Sequence, residues 1–147
     1  MSESHDDAFT LVEIMVVVAV AGLVLLMTVP AVKSFSASHD LKAASLNIQG
    51  QLMLAHEKAI ATGLQQNMHF TYDYQDCDYH IHDPDGTLSS KWKLPAGVTY
   101  SWDAGTKSQY RMTSDGQCLD TGMIILTNTK GDRDTVSVRL SGLVLRY

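Results

Sequence analysis

The chain has 147 residues, with 11 Lys and Arg against 16 Asp and Glu and a formal charge of −5 at pH 7. That length admits one membrane segment and one small domain. Part of the negative balance sits in the head, at Glu3, Asp6 and Asp7; from Ala31 onward 11 basic residues face 12 acidic ones, without the basic excess of a dedicated nucleic-acid binder.

The first predicted element is the apolar run of residues 9–29, "FTLVEIMVVVAVAGLVLLMTV". As a helix it would be roughly 31 Å long, enough to cross a hydrocarbon core. A cleaved secretory signal would want a basic head, a shorter run and a small-residue site. Ala19-Val20-Ala21 offers the small residues, but the run continues and the head holds no Lys or Arg. One acid, Glu13, interrupts the run. Near the end of a span an acid snorkels to the interface, and deeper it costs about 2.5–3.5 kcal/mol unless it has a partner. Pro30 reads as a helix end or a kink that frees the carbonyl of Leu26, and Gly22 is commonplace in membrane helices.

Taken together, Ala8-Phe9-Thr10-Leu11-Val12-Glu13 and the unbroken run with Gly22 and Pro30 resemble the N-terminus of type IV pilins and type II secretion pseudopilins. The resemblance implies a precursor with a leader of residues 1–8, cut by a prepilin peptidase between Ala8 and Phe9 and methylated on Phe9. It implies a transmembrane helix over residues 9–30, kinked at Gly22 and Pro30, and a periplasmic pilin-like domain over residues 31–147 that includes the second half of the helix. It also implies that Glu13 serves filament assembly by pairing with the Phe9 amine of a neighbouring subunit. The partners implied are other pilins or pseudopilins, an inner-membrane assembly platform and the inner membrane itself. Two departures stand out: the residue before the cut is Ala8 where the family usually has Gly, and the leader MSESHDDA is acidic where leaders are usually basic.

Beyond Pro30, Leu41, Ala44, Ile48, Leu52, Ala55 and Ala59 recur at helical spacing, with Gly63 as the stop. Their stripe is expected to pack on a sheet. The period then changes to two: in "NMHFTYDY" Met68, Phe70, Tyr72 and Tyr74 share one face of a strand. Strands are also expected at 79–82, 98–102, 109–113, 123–128, 135–140 and 143–146. The turns between them are marked by Asp85-Gly86, Pro95-Ala96-Gly97, Asp115-Gly116, Lys130-Gly131 and Ser141-Gly142. The order predicts an α+β fold, a long N-terminal helix packed on an antiparallel β-sheet. The segments "LAHEKAIATG", "LPAGV", "YRMTSDG" and "GMIILTNTKGDRDTVSVRLSGLVLRY" resemble the GspH/FimT group of minor pseudopilins, which implies a role in the tip or initiation complex of a filament.

Cys77 and Cys118 both lie beyond the apolar run. In an exported domain two thiols most simply form one disulfide, contributing on the order of 4 kcal/mol in the chain-entropy model; two free buried thiols are the alternative. His80 and His82 would share a strand face at a spacing that can hold a metal, but a soluble edge strand explains them as well, and no metal or cofactor is expected. Asp83-x-Asp85-Gly86 matches only a fragment of a calcium loop and lacks its bidentate Glu. No nucleophile elbow, zinc-protease helix or phosphate loop occurs, so the chain is not expected to be an enzyme.

One rival reading is a receptor or adhesin at a pilus tip, because some FimT-like minor pilins bind DNA for natural transformation. Among those the resemblance runs through a Gly-Arg-x-Arg pattern; here the matching stretch is Gly142-Leu143-Val144-Leu145-Arg146. Lys130, Arg133, Arg139 and Arg146 are the candidate patch, interleaved with Asp132 and Asp134.

Overall fold

A computed structural model of the chain describes residues 10–103 and 108–147, and of residues 26–34 the backbone alone. The chain forms two compact units, Met1–Ser36 and Ala37–Tyr147. One helix, α1 (Leu11–Thr62), runs from the first into the second. It ends as expected at Gly63, whose φ of 67° is the left-handed conformation that closes a helix.

Within the second unit the predicted stripe is the buried one. Leu41, Ala44, Ile48, Leu52, Ala55 and Ala59 are all buried, with Ile48 and Leu52 fully so. Each of these two contributes about 1.5–3 kcal/mol by leaving water. Ser45, on the same side of the helix, donates to Asp134 Oδ2 at 2.6 Å. Arg146 Nε approaches the same carboxylate at 3.0 Å, so one buried acid ties the helix to the last two strands.

The β elements are β1 (Gln66–Tyr74), β2 (Cys77–His82), β3 (Leu88–Trp92), β4 (Thr99–Trp102), β5 (Gln109–Met112), β6 (Gly122–Thr127), β7 (Arg133–Val138) and β8 (Val144–Arg146). Every pairing is antiparallel. They form two four-stranded sheets, ordered β3-β2-β1-β5 and β4-β6-β7-β8, where the sequence pointed to one sheet. Both sheets and the helix stripe contribute to a single core, from Met68, Phe70, Tyr79 and Tyr110 to Tyr100, Ile124, Leu126 and Val136.

Two local expectations need correction. β3 falls outside the expected strands; it is an edge strand held by its register with β2, Tyr79 opposite Trp92 and His80 opposite Lys91, and edge strands tolerate polar sequences such as Leu-Ser-Ser-Lys-Trp. The alternation of β1 also breaks. Met68 and Phe70 are buried and Tyr72 keeps their face, half exposed but stacked on Tyr100 at 4.1 Å, whereas Tyr74 crosses to the face of His80. The register shifts between Phe70 and Tyr74, and Asp73 has a φ of 54°, the signature of a bulge that re-aims the strand end.

Candidate functional site

α1 opens on a threonine N-cap. Thr10 stands just before the helix, and the Glu13 amide donates to the Thr10 hydroxyl at 3.3 Å and to its carbonyl at 3.1 Å. Thr-x-x-Glu ahead of an apolar run is the sequence signature of such a start, a signal passed over when Glu13 is considered only as an acid in a span. An acid in the first turn also meets the positive end of the helix dipole. The hydrogen bonds at this cap use the Glu13 amide and not its carboxylate, so they survive replacement of the side chain.

From residue 10 to residue 25 every side chain is exposed, including Leu11 at 77% and Leu25 at 63%. A helix that is apolar all round demands cover from lipid or from other helices. Among the described residues no helix is long and apolar enough to cross a membrane; the side chains of residues 26–34, of which 26–30 belong to the expected span, lie outside that description. Ala8 and Phe9 lie outside the described residues altogether. The helix continues through Gly22 and Pro30. A Cβ added at Gly22 would meet nothing within 4 Å, so no contact among the described residues explains a glycine there.

The expected Cys77–Cys118 bond is not formed; both thiols are free and buried. The topology keeps them apart. Cys77 pairs with Tyr74 at one end of β1, while Cys118 bridges Met112, which pairs with Gln66 at the other end. That places them about 20 Å apart along the sheet, far beyond the Cα separation a disulfide tolerates. Each thiol is satisfied locally, Cys77 donating to the Tyr74 carbonyl at 2.8 Å and Cys118 to the Asp120 carbonyl at 3.0 Å. Burial pushes both up from the usual thiol range. Thiol titration of the unreduced chain should therefore find no reactive group in the folded protein and two in denaturant. A count of zero in denaturant before reduction would restore the disulfide.

His80 and His82 do come together, and the structure adds His69. His69 lies opposite His80 across β1 and β2 with rings stacked 5.5 Å apart, and His82 packs edge-on to both at 5.2 and 4.8 Å. Tyr74, carried over by the bulge, stacks on His80 at 4.4 Å, leaving His80 only 2% exposed. This is an imidazole stack on the sheet face away from Phe70 and Tyr79, with His82 Nδ1 donating to the Gly86 carbonyl at 2.9 Å. Among the described residues no group of three or more His, Cys, Asp or Glu is placed to hold a metal ion. The calcium-loop fragment is also spent internally: Asp83 accepts from Lys58 at 2.7 Å and Asp85 from the Thr87 amide at 2.9 Å.

Burial first, then repulsion from His82 and His69, lowers the His80 pKa to about 4. The folded chain therefore binds this proton less readily than the unfolded chain, whose histidine titrates near 6.5. The stabilisation is complete above pH 6.5 and is lost as pH falls toward 4, on the order of 3 kcal/mol in all. Urea unfolding of wild type and His80→Phe at pH 7 and pH 4.5 checks this. The variant keeps the ring stack and should show a smaller loss of stability on acidification; equal losses would remove His80 as the cause.

The four cations of the candidate patch do not form one surface. Arg146 is turned to the helix side by Asp134 at 3.0 Å, and Lys130 lies 3.7 Å from Asp132. Arg133 opens β7 and Arg139 follows its end, about 20 Å apart along the strand direction. Asp132 meanwhile accepts from Ser38 and Asn128 at 3.1 and 2.9 Å, which closes the β6–β7 turn onto the helix.

Compared with known proteins, residues 4–29 match the prokaryotic N-terminal methylation motif. The minor pseudopilin EpsH of the Vibrio cholerae type 2 secretion system is similar in structure, with a TM-score of 0.57, 16% identity, and 74% of this chain and 96% of that one covered. The type IV minor pilin FimU of Pseudomonas aeruginosa PAO1 is similar with a TM-score of 0.60, 14% identity, and coverage of 77% and 92%. A second crystal form of FimU gives 0.56, 12%, and 73% and 92%. At these identities the likeness is one of fold. No curated relative matches by sequence.

Proposed function

We propose that this chain is a minor pilin or pseudopilin, a non-catalytic subunit of a type II secretion pseudopilus or type IV pilus, acting in its tip or initiation complex. One coincidence carries the reading: the methylation motif of residues 4–29 overlaps an exposed helix segment, apolar but for Glu13, that continues as the backbone of a pilin-like α+β unit. Such a helix has no stable existence in water. It needs lipid before assembly and the helices of other subunits after it. On this reading a prepilin peptidase cuts before Phe9, Phe9 is methylated, and an inner-membrane platform receives the chain with its second unit in the periplasm. A tip receptor for DNA finds less support, since the cations it would use are divided between two sides of the sheet and partly neutralised.

Intact mass spectrometry of the membrane-extracted protein tests the processing step. The expected chain begins at a methylated Phe9. A chain beginning at Met1 or at Gly22, or an unmethylated Phe9, would end the reading of this N-terminus.

A further inference from the structure

The β1–β2 turn is held in an unfavourable backbone. Asp73, Gln75 and Asp76 have φ of 54°, 47° and 64°, and among the described residues only glycines share that left-handed region. The segment has firm neighbours. Tyr72 is fixed through its hydroxyl, which accepts from the Tyr100 amide at 2.7 Å and donates to the Tyr100 carbonyl at 3.1 Å. Cys77 begins β2. The ladder is interrupted between Phe70 and Tyr74, so the last pair, Tyr74 with Cys77, stands apart from the rest. Residues 73–76 thus form a unit that can open while the sheet stays closed.

What keeps the unit shut is its grip on His80. Tyr74 stacks on that ring, and Cys77, donating to the Tyr74 carbonyl, holds its sulfur 3.6 Å from His80 Nδ1. Lys91, opposite His80 on β3, donates to the Gln75 carbonyl at 3.2 Å. His80 is therefore enclosed by Tyr74 from the turn, His82 from its own strand, and His69 and Lys91 from the strands on either side. Of these four, Lys91 is a cation and the two histidines become cations as pH falls. The acids nearby are engaged elsewhere, Asp76 with Lys93 at 2.8 Å, Asp78 with the Leu94 amide at 2.8 Å and Asp83 with Lys58 at 2.7 Å. Asp73 stands exposed in the turn itself. From β5, Gln109 faces His69, and Arg111, two residues further on, is held by Asp120. A proton added to His80 meets like charge, and among the described residues no acid is paired with it.

We propose that the histidine stack is a proton-operated latch: protonation of His80 drives Tyr74 off the ring, releases residues 73–76 and bares the Cys77 thiol, while both sheets stay folded. The latch stands apart from the filament reading. Closed, it excludes the proton; open, it lets the imidazole titrate in the ordinary range. With His80 at about 4 when closed and near 6.5 when open, the open fraction rises about fiftyfold between pH 7 and pH 4.5.

The test is thiol labelling of the full chain in detergent micelles with dithiodipyridine, which reacts in acid as well as at neutral pH. Each cysteine is followed by peptide mass spectrometry, and its rate is divided by that of an unstructured reference peptide at the same pH. Labelling follows the open fraction while reclosing outpaces reaction. The expected result is a rise at Cys77 on the order of fiftyfold from pH 7 to pH 4.5, with Cys118 protected at both. His80→Phe keeps a ring beneath Tyr74 and removes the proton, so it should lose most of that rise. Tyr74→Ala removes the cover, so its Cys77 should label faster than in wild type already at pH 7. Equal labelling of Cys77 and Cys118 in acid would mean global unfolding instead of a latch. That result, a Cys77 rate independent of pH, an undiminished rise in His80→Phe, or an unchanged pH 7 rate in Tyr74→Ala would overturn the proposal.

Discussion

Glu13→Leu is expected to enter the membrane at least as well as wild type and to drop out of filaments by more than tenfold. Removing an acid from an apolar helix lowers the cost of insertion, by about 2.5–3.5 kcal/mol if it lies deep. Breaking an ion pair in low dielectric by removing one partner costs several kcal/mol, which is the origin of the tenfold estimate. Leucine keeps the amide that Thr10 caps but removes both the charge and the polar side chain of a Thr-x-x-Glu start. Glu13→Gln separates the two, since glutamine serves in a capping box as well as glutamate does. If the charge acts between subunits, both variants fail to co-purify with filaments while remaining in the membrane fraction. If Glu13→Gln assembles like wild type, the residue works through its own helix and the intersubunit pairing is wrong.

The second large effect is expected at Gly142. Its φ is 72°, and an added Cβ would lie 2.6 Å from the Gly116 carbonyl oxygen and against the His56 ring. That ring is not free to swing away, because its Nε2 donates to the same carbonyl at 2.9 Å. Gly142→Ala therefore combines a strained backbone with an overpacked contact to main chain, about 3 kcal/mol together. Gly131→Ala supplies the comparison: φ is 84° but nothing lies within 4 Å of the added carbon, so it should cost about 1 kcal/mol. Urea unfolding of the two variants reads the difference directly. Equal losses would mean that the β7–β8 turn does not press on the helix as described.

The helix stripe was legible because a period of 3.6 is imposed by one continuous buried face, and all six residues from Leu41 to Ala59 fall on it. The glycine turns were legible because left-handed backbone leaves few alternatives at Gly86, Gly97, Gly116, Gly131 and Gly142. The rest depended on what strands meet across space. β3 exists through its pairing with β2, and no local preference in Leu-Ser-Ser-Lys-Trp announces it. The two thiols looked like partners by compartment and number, while the strand order sets them at opposite ends of β1. Likewise the histidine cluster was half visible, at His80 and His82; His69 joins it only through register. At the N-terminus the Thr10–Glu13 spacing marks the helix start in the sequence itself.

The single helix has a mechanical consequence. A pull along α1 reaches the second unit through Leu41, Ala44, Ile48, Leu52, Ala55 and Ala59 at once, and through the hydroxyls of Ser38 and Ser45, held by Asp132 and Asp134. Side chains interlocked along the direction of load resist in parallel, as a lap joint does, whereas a strand peeled from an edge gives way one bond at a time. A subunit tethered by this helix would hold its β unit against traction by shear strength, with the polar links nearest Ser38 the first to be loaded.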